Sequence, residues 1–308
     1  MSRLVPLAGS LALLAALVPC APADDARAAD WPQWRGPNRD DHSPDQGLLK
    51  EWPKDGPPLA WKATGIGQGF SSVSVAGDKV FTMGDVGAES FVFALARDRG
   101  DKVWSAKVGK SGGERGHPGT RCTPTVDGDR VYVLGQFGDL VCLKVADGSE
   151  VWRKSLPRDF NGRMAFYNYT ESPLIDGDKL VCTPGGKNAL VALDKKTGEV
   201  VWKSDCEAAP GYSSAVISTA GGVRQYVQLL ADGVVGVDAA DGKLLWKYGR
   251  LAQRMPVIPT PVVLGDQVFC CAGYGKGGGL LTLTAADGKV TAKEEYFTTK
   301  LTNKHGGV

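Results

Sequence analysis

An excess of either charge is missing from this chain. Lysine and arginine number 36 against 34 acidic residues, a formal net charge of +2, which offers no polycationic face for nucleic acid or an anionic membrane. Histidine is scarce: His42, His117 and His305 lack metal-ligand spacing, and a zinc centre needs more partners. None of the seven cysteines stands in Cys-x-x-Cys-His, so no covalent haem is encoded. The Asp-Gly-Asp segments lack the spaced ligands and distal glutamate of an EF-hand, and no phosphate-binding loop occurs. A sustained helical period is absent as well. After residue 18 no apolar run approaches the ~20 residues of a spanning helix.

Glycine, in contrast, is plentiful: 41 of 308 residues, clustered beside aspartate rather than in a Gly-X-Y register. Such clusters are turn punctuation, because glycine takes positive φ freely and aspartate bonds its own backbone. With 43% hydrophobic residues the chain can bury a large core.

Residues 1–29 read as a secretory signal peptide: Arg3 supplies a positive start, Leu4 to Val18 is apolar, and small-residue patterns follow at Ala21-Pro22-Ala23 and Ala26-Arg27-Ala28. The competing reading is a membrane anchor, for which the run is short and carries Pro6. Cys20 is a candidate lipid site, with Leu17 and Val18 suited to it and Pro19 where a small residue belongs. Removal of the leader leaves the net charge at +2 and six cysteines, an even number that an exported protein could oxidise.

Beyond the leader the chain repeats. Tryptophans 61, 104, 152, 202 and 246 are spaced by 43, 48, 50 and 44 residues, a period typical of propellers and solenoids. Turns precede the later ones at Arg99-Gly100-Asp101, Asp147-Gly148, Thr197-Gly198 and Asp241-Gly242. Asp287-Gly288 opens a fifth unit in which Ala292 takes the tryptophan's place. A second set of turns recurs at Gly77-Asp78, Asp127-Gly128-Asp129, Asp176-Gly177-Asp178 and Gly265-Asp266. Each unit therefore holds four strands, in the second Thr123–Val126, Arg130–Gly135, Leu140–Val145 and Glu150–Lys154. Its middle strands are apolar on both faces, as in a sheet stacked between two others. The expectation is an all-β propeller of four-stranded blades, with a β-sandwich as runner-up. Residues 30–56 form an N-terminal extension and residues 57–308 the propeller. Cys122 and Cys142 then fall on first and third strands, two spacings of ~4.8 Å apart, too far to bridge.

The run Leu190-Val191-Ala192-Leu193-Asp194-Lys195-Lys196-Thr197-Gly198-Glu199-Val200-Val201-Trp202 resembles the repeat of the pyrroloquinoline-quinone (PQQ) propellers, a WD40/YVTN-like group. That superfamily includes quinoprotein alcohol dehydrogenases and BamB-type lipoproteins. Trp31-Pro32-Gln33-Trp34-Arg35-Gly36-Pro37 is similar to the opening of secreted bacterial PQQ-like repeat proteins. The resemblance spans residues 31–308 and implies eight blades in a complete ring, of which this chain holds five to six. Leu59-Ala60-Trp61-Lys62 looks like a lone outer strand that closes the ring, and His305-Gly306-Gly307-Val308 like the start of a sixth unit, so a truncated C-terminus is expected.

Loops from each outer strand to the next inner strand converge on one mouth, where binding sites form. Those loops carry Arg115, His117, Arg121, Arg158, Asp159, Phe166, Tyr212 and His305. Candidate ligand-binding residues are Arg121, Arg163, Tyr167, Tyr169, Tyr212 and Arg254, since guanidinium beside aromatic rings suits a planar anion. The alternative is that these side chains only cross-link loops. A quinone held by calcium, which the resemblance implies, needs a catalytic carboxylate, for which Glu171 is the weak candidate, with Asn168 as a second oxygen ligand. The resemblance also implies an adjacent disulfide at Cys270-Cys271, against which stands their position inside a strand, where neighbours face apart. Asn168-Tyr169-Thr170 matches a glycosylation triplet. Three functions follow: a periplasmic or secreted module binding a small anion or an envelope protein, a PQQ-dependent oxidoreductase, or a BamB-like assembly scaffold. Terminal sequencing of exported protein should find the mature start between Asp24 and Asp30, and an intact Met1 would defeat the leader reading.

Overall fold

The computed structural model describes residues 29–113, 116–301 and 303–308. The leader with Cys20, and Arg115, lie outside the described residues. The remainder folds into five four-stranded antiparallel meanders, each with its strands in chain order. They are β1 Ser74–Ala76, β2 Lys79–Val86, β3 Glu89–Ala96 and β4 Lys102–Lys110; β5 Thr125–Asp127, β6 Arg130–Leu134, β7 Asp139–Lys144 and β8 Glu150–Ser155; β9 Leu174–Asp176, β10 Lys179–Cys182, β11 Val191–Asp194 and β12 Val200–Lys203; β13 Val216–Ser218, β14 Gln225–Leu230, β15 Gly233–Asp238 and β16 Leu244–Tyr248; β17 Val262–Leu264, β18 Gln267–Ala272, β19 Gly277–Ala286 and β20 Lys289–Thr298. This is a β-propeller. First strands of successive blades approach one another, β1 with β5, β5 with β9 and β13 with β17, which places them at the axis. The sequence bounds of the second blade fall within two residues of those observed. One short helix departs from the all-strand expectation, α1 Leu156–Phe160, where Ser155 Oγ caps Arg158 N and Asp159 accepts the Ser155 N–H at 2.8 Å.

Middle strands bury both faces, β6 and β7 almost completely. Apolar clusters run from blade to blade rather than within one, joining Phe81 and Trp104 to Tyr132, and Trp246 to Val268 and Leu281. The joint is a tryptophan laid on the next blade's turn glycine. Trp104 Nε1 donates to Val145 O at 3.0 Å, Trp152 to Lys195 O at 3.0 Å and Trp202 to Ala239 O at 3.3 Å. A β-carbon on Gly148, Gly198 or Gly242 would stand within 2.8 Å of the indole above it. Trp61 does the same toward the first blade, donating to Arg97 O at 3.0 Å over Gly100, although its segment is not a strand.

Trp246 keeps the strand register of the others, opposite Gly236 beside a bulge, but bonds Gln225 of its own blade. The cause lies in the fifth blade. Its Asp287-Gly288 pair, with φ of 52° and 73°, closes a two-residue hairpin between ten-residue strands, and Gly288 has no neighbour where a β-carbon would stand.

All six described cysteines are buried free thiols. Cys270 and Cys271 pair with Gly279 and Gly278 along regular β18, so the adjacent disulfide is not formed. Burial pushes both thiols up, Cys271 to about 11.

Residues 30–41 occupy the axis. Trp31 exchanges both backbone bonds with Val75 at 2.8 Å, and Pro32 O accepts from Val126 N at 2.8 Å. Buried Arg39 donates Nη1 to Ala215 O at 2.9 Å and Nη2 to the carbonyls of Ser172 and Pro173. Trp34 Nε1 reaches Thr260 Oγ1 at 3.2 Å. One short segment thus touches all five blades.

Trp152→Ala should cost about 3–5 kcal/mol, as expected for a large buried aromatic. A sharper test compares two glycines of equal φ, Gly198 at 74° and Gly288 at 73°. Alanine at either meets the left-handed penalty of roughly 1 kcal/mol, and at Gly198 it also strikes Trp152, adding about 1–3 kcal/mol of overpacking. Equal denaturation midpoints for the two variants would remove the docking role.

Candidate functional site

The loops that enter first strands meet around a cavity of about 480 Å³. Its wall is an arc of rings crossing three blade boundaries. Phe70 lies 6.4 Å from His117, His117 6.1 Å from Tyr167, and Tyr167 6.0 Å from Tyr212, centroid to centroid. Backbone and hydroxyl bonds hold the arc: Tyr167 N–H donates to Tyr212 Oη at 3.1 Å, and Thr170 Oγ1 donates to Tyr212 O at 2.9 Å. Below it, hydroxyls link successive blades. Thr123 N–H donates to Ser172 Oγ at 3.0 Å, and Ser172 N–H to Ser214 Oγ at 2.9 Å.

Among the described residues two guanidinium groups line the cavity. Arg121 stands 5.3 Å over the Phe70 ring, but its Nη1 and Nη2 are taken by Gly119 O and His117 O of its own loop. Burial lowers its pKa. The other is Arg35, brought in by the axial segment. Its Nε donates to Asp41 at 2.5 Å, and buried Nη1 has no partner among the described residues. Among the described residues no aspartate or glutamate lines the cavity, and His117 and His305 add further polar nitrogens.

Of the residues singled out in the sequence, the structure gathers Arg121, Tyr167 and Tyr212 here, with His117 and His305. Five others lie elsewhere. Arg163 is exposed, its stem beside Gly186, and Arg254 is exposed away from the cavity. Tyr169 is buried, with its hydroxyl on Pro184 O at 3.1 Å. Asn168 is 2% exposed with φ of 66°, its Nδ2 unpartnered, so neither a ligand at the cavity nor a glycan acceptor is presented. Glu171 turns inward between Thr170 and Ser172, both of which line the cavity, because extended backbone alternates its side chains. Its carboxylate accepts from Thr183 N–H and faces Arg39 and Cys122 in the interior. Trp34, Arg35 and Phe70 are among the site residues that sequence reasoning passed over. The motif of the first two was visible, but nothing local shows that it threads the axis.

A calcium-held quinone meets these donors only in part. Guanidinium and aromatic rings suit a planar anion. Calcium, which prefers carboxylate and carbonyl oxygens, finds no carboxylate on the lining, and no three His, Cys, Asp or Glu cluster with metal-site geometry among the described residues.

A propeller with a ligand-sized mouth is thus the class that fold and cavity define. The chain belongs to the PQQ-like repeat family described as outer membrane protein assembly factor BamB, whose profile matches residues 88–306. It is 29% identical over 175 residues to the outer membrane protein assembly factor BamB of Xanthomonas campestris pv. campestris, covering 55% of this chain and 40% of that protein. It is 31% identical over 171 residues to a polyvinylalcohol dehydrogenase of a Pseudomonas species, covering 48% of this chain and 25% of that one. The crystal structure of quinohemoprotein alcohol dehydrogenase from Comamonas testosteroni shares the fold at a TM-score of 0.57 and 16% identity, over 84% of this chain and 47% of that one. The chain spans less than half the length of the curated relatives it matches.

Burial pushes the Glu171 carboxyl from 4.5 up to about 7, outweighing the Thr183 hydrogen bonds and the Arg39 charge. The folded chain therefore keeps a proton that the unfolded chain releases between those values. The associated stability is full below about 4.5 and is lost as pH rises through about 7. Glu171→Gln, always neutral, should gain on the wild type as pH climbs across that window, and parallel stability profiles would contradict the assignment.

Proposed function

We propose that this chain is an exported bacterial binding module whose mouth takes a small anion with a flat apolar body. The observation that carries this reading is the lining: among the described residues, aromatic rings, two guanidinium groups and no carboxylate around about 480 Å³. Such a volume and such sparse polar groups are typical of small-molecule sites. The leader pattern of residues 1–29 and membership in a family described by outer-membrane assembly support a periplasmic or envelope location. The family description also supports an envelope protein as partner, the BamB-like scaffold reading. The likeness to a polyvinylalcohol dehydrogenase supports the oxidoreductase reading, which needs a carboxylate that this lining does not supply.

Trp34 on the lining makes intrinsic fluorescence the natural probe. Titration with PQQ should give saturable quenching that is indifferent to calcium and is weakened about tenfold or more by Tyr212→Ala, which removes a stacking ring. Substrate oxidation on adding PQQ and calcium would favour the dehydrogenase, and no saturable quenching would leave the scaffold reading.

A further inference from the structure

We infer that the ligand is an aromatic carboxylate and that the axial segment itself recognises it, through the Nη1–Nη2 edge of Arg35. This rests on the mouth being a small-anion site.

Three observations converge on Arg35. First, it is only 5% exposed yet lines the cavity, and its one bond is the Nε contact to Asp41. A buried guanidinium donor without a partner is costly, because desolvation is not repaid by any hydrogen bond. Second, the group is held in place before any ligand arrives. Arg35 has φ of 63° and Gly36 φ of 83°, and the turn is closed by Asp41 N–H on Arg35 O at 3.0 Å. Gly36 is obligatory, since a β-carbon there would lie 2.8 Å from the Trp31 ring. Arg39, four residues on, fastens the same segment to the carbonyls of Ser172, Pro173 and Ala215. Third, the competing cation is partly committed, since one bond from each terminal nitrogen of Arg121 closes its own loop.

The free edge of a guanidinium with Nε occupied presents two parallel donors in one plane. A carboxylate matches that pair bidentately. Around it stand Trp34, Phe70, Tyr167, Tyr212 and Ile258, so the rest of the ligand is a flat aromatic body. Ser214 and Thr260 offer hydroxyls to any polar substituent. The axial segment is on this reading a wall of the site, and the ligand bonds across it to the ring of blades.

The experiment uses the full chain and two fluorescent probes of one shape, 2-naphthoate and its neutral analogue 2-naphthalenemethanol. Wild type should bind 2-naphthoate more tightly. Arg35→Gln should weaken 2-naphthoate roughly tenfold or more, the loss of a charge-assisted bidentate pair, while 2-naphthalenemethanol binds as before and reports an intact fold. Arg35→Lys should fail to restore the carboxylate preference, since an ammonium lacks the fork, and it carries the test alone should the glutamine variant not fold. Unchanged 2-naphthoate affinity in Arg35→Gln, with loss in Arg121→Gln instead, would overturn the role of Arg35 and leave the anion site standing. Failure of both probes to bind the wild type would overturn the site itself.

Discussion

An indole resting on a glycine is the contact from which the rest of this structure follows. Four times the outer strand of one blade, or the segment in its place, sends a tryptophan to the hairpin turn of the next, where N–H meets a turn carbonyl and the ring covers the glycine. Both halves of the contact are demanding. The turn needs positive φ at that residue, and the ring lies where a β-carbon would stand, so the position admits glycine on two independent grounds. A bulge sits beside all four strand tryptophans, opposite Ala94, Cys142, Ala192 and Gly236. It gives the outer strand extra twist, and the neighbour's turn decides the hydrogen bond, since Trp246 with the same bulge bonds Gln225 of its own blade. Blade-to-blade packing then becomes a repeated unit, and the apolar clusters run around the ring.

The axis poses the opposite problem, because first strands meet there with their inner backbone edges unpaired. The segment from Trp31 to Asp41 answers it with donors. Arg39 satisfies three carbonyls on two blades at once, and burial lowers its pKa only to about 10, so it stays a cation at neutral pH. Glu171 nearby is pushed up to about 7 by the same burial. The interior thus holds one firm charge solvated by carbonyl dipoles beside a carboxyl that gives up its own charge readily, rather than a permanent buried ion pair.

The blades were legible in the sequence because their signals are local and repeated: tryptophan period, Asp-Gly turns, two apolar middle strands. Even the exception was partly visible, since Ala292 stands where a sixth tryptophan would. The site was legible only by half. Arg121 and Tyr212 stand two residues before Thr123 and Ser214, on the side that faces the mouth, and counting by twos would have separated them from Glu171, which is one residue before Ser172. Arg163, Tyr169 and Arg254 share the loops but not the register. Trp34 and Arg35 were beyond reach because their place depends on threading the axis across 226 residues of sequence to Thr260.

The division between the two faces of the ring has the same origin as the docking. On the tryptophan face the turns at Gly100, Gly148, Gly198 and Gly242 are committed to accepting an indole, so their chemistry is fixed by the neighbour. The connections entering first strands carry no such duty. They range from residues 204–215 to residues 156–173, and one of them even includes a capped helix. Chemistry that the docking contact forbids on one face is therefore permitted on the other, and the arginines and aromatic rings of the chain's loops collect there. The axial segment reaches the same face, where the Nη1 of buried Arg35 has no partner among the described residues, while Arg39 spends its own donors on the carbonyls of the blades.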